Sequence, residues 1–319
     1  MKFFITGVAG MIGAHFLELI LREGHEAVGI DNLSVGKREN IKDFLDNEKF
    51  SFYELDLLDK KEKILNKINN CDVVVHLAAI KKVSENQEAF PTLNVNVKST
   101  EVILDYALKF KKKVIFASTS DVYGLSEDLP FKESSNSVIG PSTAKRWAYA
   151  VSKLYCEQMC MAYQKEFRMD ILILRYFGGF SEKSSFTWSG GHITLFIDQI
   201  LNGKPVTIHG DGLQTRSIGH GSDLAKGTYL ASKSDISGEI INIGNNEELS
   251  VIDTVKLLSR LMNIDLDTIK IEYIPDEIVF GDYKDVRRRV PDLSKAKKLL
   301  NYSPSVSTED AIKLVLDKI

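Results

Sequence analysis

Short apolar runs and longer amphipathic segments alternate along the first half of the chain. The apolar runs predict strands over residues 3–6, 27–31, 50–56, 72–78, 113–118 and 171–176. The segments between them predict helices over residues 11–23, 60–66, 91–110 and 149–167. Because the central runs are apolar without interruption, we expect parallel strands that are covered on both faces. The pattern therefore predicts an α/β fold with a doubly wound parallel sheet.

The character of the chain changes after residue 176. Glycines and serines mark a long irregular connection over residues 178–191, and short predicted strands (205–209, 239–243) then alternate with helices such as 251–262. We expect residues 1–176 to form a cofactor-binding domain and residues 177–319 to form mainly a smaller substrate-binding lobe, with part of 213–243 returning to the first domain. The predicted site is the crevice beyond the carboxyl ends of the strands.

Three glycines follow the first predicted strand at intervals of three residues: Gly7, Gly10 and Gly13. The first permits a tight turn, the second lets the backbone approach a phosphate, and the third lets the next helix pack closely on the strand. The N-terminus of that helix presents unpaired N–H groups to an anion. The second predicted strand ends in Asp31, an acid that suits the ribose hydroxyls of NAD and repels the extra phosphate of NADP. The segment predicts a Rossmann-type NAD site, and a chance glycine-rich turn is the alternative.

Tyr149 and Lys153 lie four residues apart in a predicted helix and therefore share one of its faces. A neighbouring ammonium group favours the phenolate and lowers the pKa of the tyrosine. Tyr149 is therefore a candidate general base, and an accidental pairing of two surface residues is the alternative.

A third candidate segment, residues 117–124, follows the fifth predicted strand, where sites form in this architecture. Thr119 can form a hydrogen bond with a substrate hydroxyl beside Tyr149. Asp121 supplies a carboxylate to the same crevice, although a cap or turn residue is the alternative interpretation.

Composition and charge limit the remaining classes of function. The chain has 319 residues, 44% of them hydrophobic and 27% charged, and a net charge of −3, which favours neither nucleic acid nor an anionic membrane as partner. The three cysteines form no disulfide framework and no metal motif, so no metal site is predicted. Neither a signal peptide nor a membrane-spanning stretch is evident, and a cytoplasmic location is expected.

Together these motifs resemble the extended short-chain dehydrogenase/reductases, in particular the NAD-dependent nucleotide-sugar epimerases, dehydratases and decarboxylases. The resemblance covers nearly the whole chain. Its motifs, in chain order, are the glycine loop, residues 31–34, 56–57 and 76–79, the Thr119 loop, Tyr149 with Lys153, and residues 175–177, 209–216 and 289–296.

The resemblance implies roles for individual residues. The residues implied to contact NAD are Gly7, Gly10, Met11, Ile12, Gly13, Asp31, Asn32, Asp56, Leu57, Leu77, Ala78, Ala79, Tyr149 and Lys153. The residues implied to contact a nucleotide-diphosphate sugar are Lys81, Thr119, Gly178, Arg216 and Arg289, with the two arginines on the diphosphate. Gly178 stands where many members have a substrate-binding asparagine. In the implied reaction, Tyr149 takes the proton of the sugar 4-hydroxyl, Thr119 assists, and carbon 4 becomes a ketone.

The fate of that ketone separates the activities of the family. Lys81 stands where UDP-glucose 4-epimerases have a lysine, whereas the order Thr119, Ser120, Asp121 is more similar to UDP-glucuronate decarboxylases and GDP-mannose dehydratases, with a shorter acid. The leading prediction is a UDP-hexose 4-epimerase. The alternatives are a dehydratase or decarboxylase that uses Asp121, and a non-catalytic NAD-binding sensor. The resemblance also implies a homodimer that is formed through paired helices, one of which bears Tyr149.

Overall fold

The computed structural model describes residues 1–59, 61–81, 88–187, 190–275 and 286–319. Within these ranges the strands are β1 (Lys2–Thr6), β2 (Glu26–Asp31), β3 (Phe50–Glu54), β4 (Val73–His76), β5 (Lys113–Thr119), β6 (Ile171–Tyr176), β7 (Gly178–Phe180), β8 (Val206–His209), β9 (Thr215–His220), β10 (Glu239–Ile243), β11 (Glu248–Ser250), β12 (Ile271–Ile274) and β13 (Arg288–Arg289). Seven of them form one parallel sheet in the order β10-β6-β5-β4-β1-β2-β3. The predicted α/β class and parallel sheet are confirmed.

The helices cover both faces of this sheet. They are α1 (Met11–Arg22), α2 (Glu62–Leu65), α3 (Ala89–Lys109), α4 (Ala148–Phe167), α5 (His192–Leu201), α6 (Gly221–Lys233), α7 (Val251–Leu261), α8 (Ser294–Leu300) and α9 (Thr308–Leu316). One apolar core lies between the sheet and α1 with α6, and includes Phe16 and Leu224. A second core lies on the opposite face under α3 and α4, and includes Ile103 and Cys156. The sheet therefore has the two covered faces that its uninterrupted apolar strands predict.

The later part of the chain builds a smaller layer beside the sheet. Strands β7, β11 and β13 each pair with β9, and β8 pairs with β12. A third core fills this layer, with α5, α7 and α9 contributing Phe196, Leu258 and Ile312. Strand β10 lies outside this layer and pairs in parallel with β6 at the edge of the large sheet.

The predicted bounds of the elements differ from the structure at a few ends. Strands β3 and β4 stop two residues early, because the chain turns away from the sheet there and residues 56, 57 and 77 line a cavity instead. Helix α3 begins before Pro91, since a proline is tolerated in the first turn of a helix. The helix predicted over 60–66 is only the short α2 followed by a 3₁₀ turn, Asn66–Asn70, and residue 60 lies outside the described residues. None of the described helices has the length and apolar character needed to cross a membrane.

Candidate active site

The glycine loop between β1 and α1 has the backbone shape that its sequence predicts. Gly7 has a φ of +70°, and a Cβ there would lie 2.8 Å from the backbone nitrogen of Ala78. A Cβ on Gly13 would lie 2.2 Å from the carbonyl oxygen of Gly7, so α1 packs closely on the loop only with glycine at that position. Gly10 caps α1 without a side-chain hydrogen bond. The first N–H groups of α1 are therefore left for an anionic ligand such as a pyrophosphate.

A cavity of about 130 Å³ lies at the ends of β2, β3 and β4. The carboxylate of Asp31 accepts hydrogen bonds of 2.9 Å from the backbone N–H groups of Ala9 and Leu33. Asn32 donates to Asp56 at 2.9 Å. Burial raises the pKa of Asp31, while the two backbone donors oppose that shift. The predicted residues that line this cavity are Gly7, Gly10, Asp31, Asn32, Asp56, Leu57, Leu77, Ala78 and Ala79.

A second cavity of about 300 Å³ continues past the glycine loop to the end of β5. The predicted residues that line it are Gly7, Gly10, Met11, Ile12, Gly13, Leu77, Ala79, Lys81, Thr119, Asp121, Tyr149, Lys153, Gly178 and Arg289. The two cavities together form one continuous surface that fits a dinucleotide. It includes the glycine loop, the N-terminus of α1 and Asp31 at the end of β2.

Tyr149 and Lys153 both line this cavity from the first turns of α4. Lys153 donates a hydrogen bond of 2.7 Å to the carbonyl of Ala117. Burial raises the pKa of Tyr149, the negative charge of Asp121 adds to that shift, and a hydrogen bond with Thr119 opposes it. The expectation of a lowered pKa for Tyr149 is therefore wrong for the protein by itself, because desolvation of the phenol dominates and Lys153 is not among the groups that shift it.

Asp121 is the centre of a buried charged cluster. Its Oδ1 lies 2.5 Å from Nη1 of Arg289 and 3.3 Å from Nη2 of Arg146. Burial by itself would raise the pKa of Asp121, but the charges of Arg289, Arg146 and Lys81 together hold it well below its usual range. Among the described residues this cluster holds three basic side chains and one carboxylate, and burial lowers the pKa of the lysine, Lys81. The described part of the cluster is net positive. Asp121 is therefore a partner of cations and a poor proton acceptor.

Arg146 was missed by the sequence analysis. It lies in a 3₁₀ turn, Lys145–Trp147, immediately before α4, and its side chain is buried against Asp121. The one local signal is its place three residues before Tyr149, which puts the two side chains on neighbouring positions of a helical surface.

A third cavity of about 510 Å³ opens from the charged cluster into the smaller layer. It is lined by Lys81, Gly178, Arg216 and Arg289 from the predicted set, together with residues that were not predicted: Arg146, Phe180, Ile193, Phe196, Thr207, His209, Gln214, Ser217 and Val251. Gln214 donates to the carbonyl of His209 at 2.8 Å, and its buried Oε1 has no hydrogen-bond partner among the described residues. The cavity thus offers apolar walls, unsatisfied polar atoms and guanidinium groups, which suit a nucleotide diphosphate.

A second buried ion pair connects the helix that carries Tyr149 to the large sheet. Arg175 of β6 forms a two-pronged contact with Glu157 of α4, at 2.9 and 2.7 Å, and Ser118 of β5 donates to the same carboxylate. The pair connects α4 to the strand ends that carry Thr119 and Tyr176. It explains in physical terms why an arginine stands at the start of the predicted motif 175–177.

Comparison with known proteins identifies the family. The model of the NAD-dependent epimerase/dehydratase family matches residues 3–244. The chain belongs to this family. Its cofactor is accordingly NAD, as the glycine loop and Asp31 predict.

Individual relatives span the whole chain. A UDP-N-acetyl-α-D-glucosaminuronate decarboxylase of Bacillus cytotoxicus is 34% identical, over 97% of this chain and 94% of the relative. The crystal structure of a UDP-glucuronic acid 4-epimerase from Bacillus cereus, in complex with UDP-glucuronic acid and NAD, is 32% identical with a TM-score of 0.89, over 100% and 98% of the two chains. A UDP-glucose 4-epimerase from Thermotoga maritima is 27% identical with a TM-score of 0.86, over the same shares. The protein is therefore an enzyme of nucleotide-sugar chemistry.

Proposed function

We propose that this protein is an NAD-dependent 4-epimerase of a UDP-linked uronic acid. The observation that carries the proposal is the net positive cluster of Lys81, Arg146 and Arg289 around Asp121, at the junction of the cofactor and substrate cavities. Arg216 and Arg289 suit the diphosphate that every UDP-sugar carries, which leaves Lys81 and Arg146 beside Asp121 to face the sugar. The 6-carboxylate of a uronic acid matches these two cations, whereas a neutral 6-hydroxyl has no charge for them. The decarboxylase of Bacillus cytotoxicus and the 4-epimerase of Bacillus cereus are both named for such substrates.

Residues of the cofactor cavity would perform the acid–base chemistry. NAD, when bound, supplies the hydride acceptor and donor and carries a positive charge in its oxidised form. Burial raises the pKa of Tyr149 in the protein by itself, and the positive charge of the bound cofactor would favour the phenolate. As the phenolate, Tyr149 would take the proton of the substrate 4-hydroxyl and return it at the end of the cycle, while Thr119 holds the hydroxyl in place. Lys153, whose ammonium is held by Ala117, would position the cofactor ribose.

Decarboxylation of the same substrate is the second candidate. The carboxylate of Asp121 favours it, because a like charge close to the substrate carboxylate raises the energy of the ground state. Against it, the cations around Asp121 stabilise a bound carboxylate and so oppose its loss as carbon dioxide. Dehydration is disfavoured, because it needs a base at carbon 5 and the low pKa of Asp121 makes this side chain a poor one.

Product analysis tests the proposal. Purified enzyme with NAD is incubated separately with UDP-glucuronate, UDP-N-acetylglucosaminuronate, UDP-glucose and UDP-N-acetylglucosamine, and products are followed by mass spectrometry and proton NMR. We expect a UDP-uronate to give a product of unchanged mass with carbon 4 inverted. Loss of carbon dioxide would establish the second candidate, and faster turnover of a neutral sugar would refute the role of the charged cluster. The Tyr149→Phe variant should bind NAD and lose turnover, which distinguishes catalysis from NAD binding alone.

We also infer a homodimer. Large apolar side chains are exposed on the two paired helices α3 and α4, namely Phe90, Leu93, Val151 and Tyr155, with Phe90 73% exposed. Packing of these helices against those of a second copy would bury them. Analytical ultracentrifugation of the wild-type protein and of a Tyr155→Asp variant should show a dimer that the substitution weakens.

A further inference from the structure

Three potential metal ligands meet beside α1, and none of them is part of the lining of the cavities described above. They are His15 of α1, Glu182 after β7 and His220 at the end of β9. Their ligand atoms all lie within 4.8 Å of one another. The two carboxylate oxygens of Glu182 lie 3.6 Å from Nε2 of His15 and 3.2 Å from Nε2 of His220.

His15 contributes a nitrogen that the protein leaves unsatisfied. Its side chain is only 7% exposed, and its Nε2 has no hydrogen-bond partner within the described ranges. A buried imidazole nitrogen without a partner costs free energy that a bound ligand would recover. This nitrogen lies 3.6 Å from a carboxylate oxygen of Glu182. A metal cation between the two side chains would accept an electron pair from each of them.

The nearest cation to the cluster along the chain has a partner of its own. Lys183, which follows Glu182, is paired with Glu18 at 2.9 Å.

The distances and donor atoms indicate the class of metal. In a tetrahedral zinc site with bonds of about 2.0–2.1 Å, ligand atoms lie about 3.4 Å apart. The separations of 3.6 and 3.2 Å are close to this value, although each is measured from a different oxygen of Glu182. Two imidazoles and one carboxylate favour Zn²⁺ and similar transition metals over Mg²⁺ and Ca²⁺, which prefer oxygen ligands. Nδ1 of His220 accepts from the backbone N–H of Ser222 at 3.3 Å and lies 2.7 Å from Oγ of the same residue. Binding of a metal through Nε2 therefore requires the ring proton to lie on Nδ1, where Oγ of Ser222 can accept it.

We propose that His15, Glu182 and His220 bind one divalent transition-metal ion, with Zn²⁺ the best match and water as a fourth ligand. The sequence predicts no metal motif, because these ligands come from three distant parts of the chain. None of the three lines the cavities described above. The ion would therefore stabilise the structure by connecting α1, whose first turn lines the cofactor cavity, to the segment after β7 and to the start of α6.

Metal titration tests the site without reference to activity. Chelator-treated protein is titrated with Zn²⁺ alone by calorimetry, and its melting temperature is measured with and without the ion. We expect one equivalent to bind and to raise the melting temperature. Co²⁺ bound in its place should show the absorption of a four-coordinate ion.

Variants locate the bound ion. Loss of a residue that only forms a hydrogen bond with a metal ligand weakens metal binding by about 10–100-fold. His15→Gln and Glu182→Gln each remove a ligand and should weaken Zn²⁺ binding by more than this. Ser222→Ala retains all three ligands and should weaken it within that range, so that the test stands even where a ligand variant fails to fold. The control is His25→Gln, which removes a histidine on another surface, beside Tyr229, and should leave binding unchanged. Absence of saturable binding to the wild-type protein, or binding that survives loss of His15, would overturn the proposal.

Discussion

Replacement of Asp121 by asparagine is the most direct test of the charged cluster. The side chain of Asp121 is 4% exposed, and those of Arg146 and Arg289 are 7% and 16% exposed. Asparagine retains the shape and one acceptor oxygen but removes the negative charge that both largely buried guanidinium groups contact at Asp121. Loss of one partner of a buried ion pair costs about 3–5 kcal/mol, a large part of the about 5–15 kcal/mol that stabilises a typical domain.

Urea unfolding measures this cost. We expect the Asp121→Asn variant to fold with a free energy of unfolding about 3–5 kcal/mol below wild type and with an unchanged m-value. The matched variant Asp121→Asn/Arg146→Met also removes one of the cations that contact Asp121 and should recover part of the loss, which a double-mutant cycle with Arg146→Met quantifies. A loss for Asp121→Asn of less than about 0.5 kcal/mol, the range of surface substitutions, would refute the view that the cluster depends on this carboxylate.

The pH dependence of the same measurement has a defined sign. The folded protein holds the pKa of Asp121 well below its usual range, so its stabilising contribution is complete above the unfolded pKa of about 3.9. That contribution is lost as the pH falls below this value. The difference in stability between wild type and Asp121→Asn should therefore be constant near neutral pH and shrink below about pH 4.

Three further predictions concern the cofactor and substrate cavities. Gly13→Ala should abolish NAD binding measured by calorimetry, because the added Cβ would lie 2.2 Å from the carbonyl of Gly7; full affinity would show that the loop adapts. Ultraviolet pH titrations of the cofactor-free enzyme and of Tyr149→Phe should show no difference near neutral pH, since burial raises the pKa of Tyr149. A phenolate signal present only in the wild-type enzyme at that pH would contradict this. Lys81→Met should lower kcat/KM for a UDP-uronate by about tenfold or more, a barrier of about 1.4 kcal/mol, with a smaller effect on UDP-glucose. The exposed control Lys132→Met should change neither, and equal losses for both substrates would argue against recognition of a carboxylate.

The features that the sequence predicts well are those that depend on neighbours in the chain. The spacing of Gly7, Gly10 and Gly13 reflects one turn, and that turn occurs as expected. The parallel sheet follows from uninterrupted apolar runs, which are typical of strands covered on both faces. Tyr149 and Lys153 share a helical face and line one cavity, because a spacing of four residues defines that face.

The features that escape the sequence depend on contacts between distant segments. Arg146 and Asp121 are 25 residues apart, and Arg289 and Asp121 are 168 apart. No periodicity indicates that these side chains meet. The pKa of Tyr149 likewise depends on how deeply the folded chain buries it and on Asp121, which is distant in the sequence.

The balance of charge at Asp121 also separates the two candidate reactions. A ketone at carbon 4 of a uronic acid makes loss of the carboxylate easier, so an epimerase that forms this ketone must suppress decarboxylation. Cations that contact the carboxylate lower its energy more before the bond breaks than after, because the charge moves towards the ketone oxygen. Because basic side chains outnumber the carboxylate in the described part of the cluster, it acts in the direction of retention. Removal of Lys81 should therefore shift any residual turnover of a UDP-uronate towards release of carbon dioxide, and an unchanged product ratio would mean that these cations do not contact the carboxylate.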